Sequence, residues 1–410
     1  MTLLKGRGAE FCRACGSCQL ASVLDLGSQP IANRLLKTPD DRCSEYPLHL
    51  RICTECFLGQ VGDVLDPSEI FSDYPYLSSV SSSWLNHSAQ FATSQSAQLR
   101  KDSHEYVLEV ASNDGYLLRE FHLKGYSVLG VEPAENVAEL ARQSGIPTIS
   151  EFFGEALARK IRARYRSPSL VVANNVFAHV PDIVDFASGL REVCDHKTRI
   201  SIENPSLLSL LQDTQFDTIY HEHFSYLTVH AVKALAESVG LQMFDVEYIP
   251  THGGSNRYWL SLPGAYAVAP SVSDALIQEV AGGLTTSTLW HEFESRSNQV
   301  LADLRAWLQT TTPGSVAAYG AAAKGNTLLN AVGELSSTIT AVFDGSHEKI
   351  GKYLPGSRLP IRPSSEFEGN RFTDVLILPW NIVGEIAAQL LEIDPSIRLW
   401  RAIPRLERVE

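Results

Sequence analysis

The chain's most telling chemistry lies in its cysteines. Cys12-Arg-Ala-Cys15 and Cys53-Thr-Glu-Cys56 form a pair of CxxC knuckles. Together they supply four thiolates, enough to close a tetrahedral zinc site with no open position, so the role of such a site is structural. Cys15-Gly-Ser-Cys18 is also CxxC, and only one of Cys12 and Cys18 need ligate alongside Cys15. Reduced, unligated cysteine is the plain alternative. Tyr220-His221-Glu222-His223-Phe224 is the densest cluster of titratable groups. Its spacing is not HExxH, so it is not a zinc-protease motif. A histidine beside a carboxylate is a candidate general base, and tyrosine hydroxyls can hold an enolate oxygen. Taken singly, each of these rings is more often a satisfied structural residue.

Several loops carry ligand-type chemistry. Glu109-Val-Ala111-Ser-Asn113-Asp114-Gly115 links a strand to a helix. In S-adenosylmethionine (SAM) methyltransferases this loop is acidic and glycine-rich, its acid meeting the cofactor's cationic amino end. Here Ala111 and Asn113 stand at glycine positions and only Gly115 remains. Glu132, followed by Pro133, ends the next strand and could accept both ribose hydroxyls. Two carboxylates suit a sulfonium, whereas a pyrophosphate wants the N–H groups of a glycine turn. This favours SAM over NAD, with an ordinary strand-end acid as the bland alternative. Asn174 and Asn175 close a later strand at the edge where such sheets bind ligands. His179, nearby, reads as a capping or packed histidine. Thr251-His252-Gly253-Gly254-Ser-Asn-Arg257 could grip an anion or hydroxyl through His252 and Arg257, although a hairpin turn explains its glycines. Tyr319-Gly320-Ala-Ala-Ala-Lys324-Gly325-Asn326 is a small-residue turn at a helix start, suited to phosphate, but it is not a P-loop. An Ala-rich helix start packed on a sheet is its plain alternative. Asp73-Tyr74-Pro-Tyr76 is an aromatic joint, or simply a packed linker.

The elements that must position these residues follow from periodicity. Residues 1–70 read as loop-rich. From about Glu105, strands at Tyr106–Val110, Ser127–Val131, Pro147–Ser150, Ser169–Ala173 and Thr198–Ile202 alternate with helices, predicting a parallel sheet covered on both faces. Strands Gln242–Ile249 and Arg257–Leu262, joined by a short turn, should pair antiparallel at the sheet edge. Ser273–Leu308 has helical spacing, as one long helix or two shorter ones. The βα alternation restarts at Ser315–Tyr319. The predicted division is 1–72 for a zinc-binding lobe, 73–265 and 313–410 for two α/β units, and 266–312 for a helical linker.

Composition narrows the functional classes. The 410 residues hold 34 Lys and Arg against 47 Asp and Glu, a net charge of −13, with 44% hydrophobic residues. That length exceeds one ordinary core. The acidic balance argues against a nucleic-acid groove, but a local basic pocket for a small anion remains compatible with it. The N-terminus has no apolar signal core, and the apolar runs are strand-length, far short of about 18 residues. A cytoplasmic protein with no membrane partner is expected. Six of the seven cysteines precede residue 57, an arrangement unlike a disulfide framework.

In this order the motifs resemble the SAM-dependent C-methyltransferases of nucleotide-linked 4-keto-deoxyhexoses, of the C-3 type. The resemblance runs over nearly the whole chain. It extends from the cysteine knuckles and Asp73-Tyr-Pro-Tyr-Leu-Ser-Ser through Gly130-Val-Glu-Pro, Tyr220–Tyr226 and His252-Gly-Gly-Ser to Asp344–Pro355. It implies an α/β chain with an N-terminal zinc lobe, a central class I SAM-methyltransferase doubly wound sheet and a C-terminal Rossmann-like domain that helps hold the nucleotide sugar. It further implies that His223 removes the proton α to the 4-keto group, with Tyr76, Tyr220 and Glu222 lining the site. Glu109, Ala111, Asn113, Asp114, Gly115, Glu132, Pro133, Asn174 and Asn175 would then meet SAM. Tyr74, Asn204, His252, Arg257, Tyr319, Lys324 and Asn326 would meet a nucleotide-diphosphate sugar. His221 is a position where selectivity could change, and a monomer or weak homodimer is expected. Two other readings stand beside this one: an NAD-dependent oxidoreductase with nicotinamide near Tyr319–Lys324, and a zinc-containing binding module with an inactive methyltransferase core.

Overall fold

The computed structural model of the chain describes residues 10–62, 79, 82–99, 106–369 and 372–409. Strands β1 (Leu20–Pro30), β2 (Glu45–Cys53) and β3 (Gly59–Gln60) come first. Helix α1 (Ser82–Ser96) precedes β4 (Tyr106–Val110), α2 (Tyr116–Leu123), β5 (Ser127–Val131), α3 (Glu135–Gln143) and β6 (Thr148–Ile149). Next come α4 (Glu155–Arg164), β7 (Leu170–Asn174), α5 (Ile183–Val193), β8 (Arg199–Pro205), α6 (Leu207–Gln212) and β9 (Ser225–Tyr226). They are followed by α7 (Val229–Ser238), β10 (Gln242–Ile249), β11 (Ser255–Ser261), α8 (Pro270–Ala281) and α9 (Ser287–Thr310). The second alternation is β12 (Val316–Tyr319), α10 (Ala323–Val332), β13 (Ile339–Asp344) and β14 (Ile361–Pro363), then β15 (Asp374–Ile377), α11 (Val383–Ile393), β16 (Arg398–Arg401) and β17 (Glu407–Val409).

These elements form two compact units with interleaved segments. The first comprises the described residues of Met1–Leu20, Cys53–Ser206 and Phe224–Gly282; the second comprises those of Ala21–Ile52, Leu207–His223 and Gly283–Glu410. The first is built on a seven-stranded sheet of order β10-β11-β8-β7-β4-β5-β6. Strands β6, β5, β4, β7 and β8 run parallel, while β11 is antiparallel to both β8 and β10. All five residues of β4 are buried. A central parallel strand covered on both faces needs a continuous apolar run, and Tyr-Val-Leu-Glu-Val supplies one except at Glu109. Alternate side chains serve opposite faces. Leu108 and Val110 pack in a cluster with Leu157, Phe186 and Leu190, and Val107 packs in one with Leu118, Phe121 and Phe91.

In the second unit β1 pairs with β2, and a six-stranded sheet has the order β14-β13-β12-β15-β16-β17. The strands from β14 to β16 are parallel and β17 is antiparallel to β16. Gly325 lets α10 lie close on this sheet: a Cβ there would stand 2.7 Å from Leu378 Cβ.

The strands expected from Tyr106 onward lie where the pattern places them, and β10 and β11 pair antiparallel as expected; β9, β14 and β17 are additional to the pattern. Residues 1–70 differ from the loop-rich expectation, because β1 and β2 span 11 and 9 residues. The alternation of β1 is broken by exposed Asp25, Gly27 and Ser28, so pairing rather than local pattern makes it a strand. The 273–308 segment is two helices, parted after Gly282 at Gly283, whose φ is +85°. Among the described residues no helix is long and apolar enough to cross a membrane.

Candidate active site and metal centre

In the first unit, the Sγ atoms of Cys12 and Cys56 stand 3.5 Å apart and those of Cys15 and Cys53 3.6 Å apart. All four lie within 4.8 Å of one another. Tetrahedral zinc with Zn–S bonds of about 2.3 Å needs sulfur–sulfur edges of about 3.8 Å, so the set fits the ion. Cys18 is exposed and outside the set, which assigns the first knuckle to Cys12 and Cys15. Each knuckle is a tight turn. Gly16 N donates to Cys12 O at 2.8 Å and Phe57 N donates to Cys53 O at 2.9 Å. Buried Arg13, inside the first knuckle, anchors it by donating to Val61 O at 2.5 Å and Pro181 O at 3.1 Å.

The loop after β4 lies at the carboxyl edge of the first sheet, level with the end of β5, because Glu109 pairs with Gly130 and Val110 with Val131. Ala111 (φ +58°) and Asn113 (φ +50°) both adopt the left-handed conformation, as does Gly115. The loop thus keeps a glycine-type backbone without the glycines. Buried Glu132 is held in place by Asn113 N on one oxygen and Ala134 N on the other, both at 3.0 Å. Pro133 lies between Glu132 and Ala134.

Glu109 is fully buried, and burial followed by the charges of Asp114 and Glu132 drives its carboxyl well above the ordinary range. Burial also raises Glu132, against those two N–H bonds. The buried Glu109 Oε2, Asp114 Oδ1, Asn174 Oδ1 and Asn175 Oδ1 have no hydrogen-bond partner among the described residues. These four orphaned acceptors, two of them on carboxyl groups, together with Glu132 fit a cationic, donor-rich ligand such as SAM and would repel a pyrophosphate.

The second unit holds Tyr220, Glu222 and His223. His223 N donates to Tyr220 O at 2.9 Å, closing a turn. The two rings lie 4.0 Å apart between centroids. His223 Nδ1 is 3.0 Å from Thr218 O, and its Nε2 is 2.8 Å from the Tyr220 hydroxyl. A carbonyl only accepts, so in the neutral ring the proton sits on Nδ1 and Nε2 accepts from Tyr220. Nε2 is thus the basic nitrogen. Glu222 is buried, accepts from Asn33 N at 3.1 Å, and is raised by that burial. His221 is buried, with Nε2 3.3 Å from both Tyr46 O and Pro47 O. Burial lowers its pKa, so it is a neutral anchor for the segment rather than a group presented to a ligand.

The remaining positions are distributed as follows. Asn204 is buried on β8, and neither end of its amide has a partner among the described residues. Arg257 is not free to grip an anion: Glu203 and Glu247 hold its guanidinium at 2.7 and 2.9 Å. His87 joins this cluster at 3.0 Å from Glu203. His252 occupies the turn before β11 with φ +54°, its ring 5.2 Å from Trp84. Tyr319 ends β12 and packs edge-on against Phe367. Lys324 donates to Asn381 Oδ1 at 2.6 Å and lies 4.5 Å from the Trp380 ring centre, so it too is engaged within the protein. Asn326 is buried, with an orphaned Oδ1. Tyr74 and Tyr76 lie outside the described residues. Asp217, Trp380 and Glu203 escape sequence reasoning; the only hint was an acid just ahead of the Tyr220 cluster.

The first sheet and its acidic, cation-ready loop define a SAM-dependent methyltransferase. A putative zinc binding domain matches residues 12–71, a methyltransferase domain 86–246 and a C-methyltransferase C-terminal domain 250–400. The C-methyltransferase NovU of Streptomyces niveus is 34% identical over 385 residues, covering 93% of this chain and 92% of that protein. Magnesium protoporphyrin IX methyltransferase of Synechocystis PCC 6803, solved with SAM, is 13% identical over 43% of this chain and 79% of its own, with a TM-score of 0.34. The PH0226 protein of Pyrococcus horikoshii is 13% identical over 46% of this chain and 96% of its own, with a TM-score of 0.37. The chain belongs to the C-methyltransferase family that carries an N-terminal zinc-binding domain. It uses SAM to methylate carbon, and Cys12, Cys15, Cys53 and Cys56 bind zinc.

Proposed function

We propose that the chain methylates C-3 of a nucleotide-linked 4-keto-6-deoxysugar by enolate formation at His223. The observation that carries this reading is the Tyr220–His223 pair. Thr218 O fixes the proton on Nδ1 and leaves Nε2 as the base. The C-3 hydrogen is acidic only while charge on the ketone oxygen is stabilised. His223 Nε2 takes that proton, and the electron pair of the broken C–H bond becomes the enolate. The Tyr220 hydroxyl, released from Nε2, donates to the enolate oxygen, with buried Glu222 shaping the same site; the part assigned to Tyr76 rests on the family resemblance alone. Glu109, Asp114 and Glu132 would hold SAM by its positive charge, and SAM would supply the electrophilic methyl group, its S–CH3 bond breaking to leave SAH as the sugar carbon takes the methyl. The nucleotide-sugar substrate is supported by the order of motifs from Asp73 to Pro355, and Asn204 and His252 are proposed to face it.

The test is incubation with methyl-labelled SAM and a TDP-4-keto-6-deoxyhexose. Label should appear on a ring carbon. His223→Ala should cut the rate by at least about 100-fold, the usual scale for a lost general base. An unchanged rate in that variant would remove His223 as the base.

A further inference from the structure

The carboxyl ends of strands in an open α/β sheet are where such folds bind ligands. In the second unit these ends are occupied by the chain itself. Asp344, ending β13, accepts from Ala321 N and Ser346 N, each at 2.7 Å. It also stands 3.7 Å from Lys349. Gly320, after β12, is closed over by Pro379: a Cβ there would lie 2.5 Å from the proline ring. Neither the acid nor the turn that a dinucleotide needs is open, which weighs against nicotinamide binding near Tyr319–Lys324.

Trp380, whose ring lies 4.5 Å from the Lys324 ammonium, bonds an acid from the segment that carries the base. Asp217 is completely buried. Its Oδ2 accepts from Trp380 Nε1 at 2.8 Å, and Oδ1 has no hydrogen-bond partner among the described residues. Lys324 is the charged group that opposes its burial, and Asp217 is in turn the charged neighbour of Lys324. Trp380 and Asn381 lie in the turn after β15, and Lys324 in the first turn of α10. Asp217 belongs to the 3-10 turn Phe216–Thr218. The next residue, Thr218, gives its carbonyl to His223 Nδ1. One peptide unit therefore separates the buried carboxylate from the oxygen that sets the histidine's tautomer.

We propose that Asp217 is a positioning residue for His223. Through Trp380 and Lys324 it fixes the Phe216–Thr218 turn whose carbonyl holds the ring with Nε2 unprotonated. The proposal rests on the reading of His223 as the base. Burying a carboxyl whose one hydrogen bond among the described residues is to an indole costs desolvation and adds little to stability by itself. An arrangement that brings Asp217, Lys324 and Trp380 together under one turn is better explained by the geometry it imposes. Lys324 thereby serves as an internal counter-charge rather than as a grip on substrate phosphate.

The experiment uses the full chain with ¹⁵N-labelled histidine, read by long-range proton–nitrogen correlation, with His223 assigned through His223→Gln. Wild type should show a neutral Nδ1–H ring. Asp217→Ala should convert it to a mixture of tautomers. Asp217→Asn, which keeps an acceptor for the indole, should restore the wild-type pattern. Should Asp217→Ala fail to fold, Trp380→Phe removes the same hydrogen bond and should give the same mixture. In turnover, Asp217→Ala and Lys324→Met should lower kcat by about tenfold to a hundredfold, the cost of a misplaced reacting group, with KM for the sugar nearly unchanged. An unmoved His223 spectrum, or a raised KM with kcat intact, would overturn the proposal. An unaltered rate in His223→Gln would sink the base assignment alone, since the tautomer readout does not depend on turnover.

Discussion

Glu109 is the residue whose position costs the cofactor-free fold most clearly. Its carboxyl is raised by burial and by two neighbouring acids. The ordinary value for such a group is 4.5, and a raised native value means the fold prefers the protonated form. The sign follows: this preference favours the fold fully below the unfolded value and is lost as pH climbs through the native one. A bound cation reverses the balance, because it favours the ionised carboxylate. SAM affinity should therefore rise as pH increases from 4.5 toward neutrality, with proton release, several-fold to about tenfold per unit of remaining shift. SAH lacks the sulfonium charge and should respond less. Calorimetry of both ligands in buffers of differing ionisation enthalpy checks this, and a SAM-to-SAH affinity ratio that stays flat with pH would refute it. At this scale the sequence was informative about which acids gather, since Glu109, Asp114 and Glu132 each end or follow a strand. It could not show that Glu203 and Glu247 neutralise Arg257, a pairing made only by the antiparallel placement of β11 beside β8 and β10.

Among the elements, the loop after β4 shows how a degenerate motif can keep its shape. Ala111 and Asn113 stand where glycine is usual, and both hold positive φ. Asn adopts that region readily and Ala at a cost of about 1–2 kcal/mol, so residue type alone undersells the motif. The cysteine knuckles were legible for the opposite reason. Their chemistry is local, and only the choice between Cys12 and Cys18 depends on how the chain folds. Cys18→Ser should retain one zinc per chain and leave the unfolding midpoint nearly unchanged. Cys56→Ser should lose the metal and lower the midpoint, because binding energy at a structural site contributes to folding. Metal analysis with thermal unfolding distinguishes the two, and zinc loss in Cys18→Ser would contradict the assignment. Exposed polar residues interrupt the alternation of β1, whose strand depends on pairing with β2, whereas β2 itself alternates over Leu48, Leu50 and Ile52 and its strand character was there to be read.

Across the whole molecule, the two α/β sheets were evident from repeated strand–helix order, and the net charge of −13 agrees with an acidic cofactor loop and a cationic methyl donor. The course of the chain between them was not evident. After β8 it leaves the first unit at Ser206 and rejoins it at Phe224, and residues 207–223 fold with the second unit. That excursion carries Asp217, Tyr220, Glu222 and His223. Asp217 and Trp380 meet across 163 residues of sequence, beyond the reach of any local motif. In the proposed reaction His223 removes the sugar's α-proton before carbon is methylated. That step is measured most directly by exchange of the C-3 hydrogen of a TDP-4-keto-6-deoxyhexose for deuterium in heavy water, with SAH in place of SAM so that no methyl can transfer. The wild-type chain should wash deuterium into C-3, and His223→Gln should abolish it. Exchange that persists in His223→Gln, or label that enters at another carbon, would contradict the account.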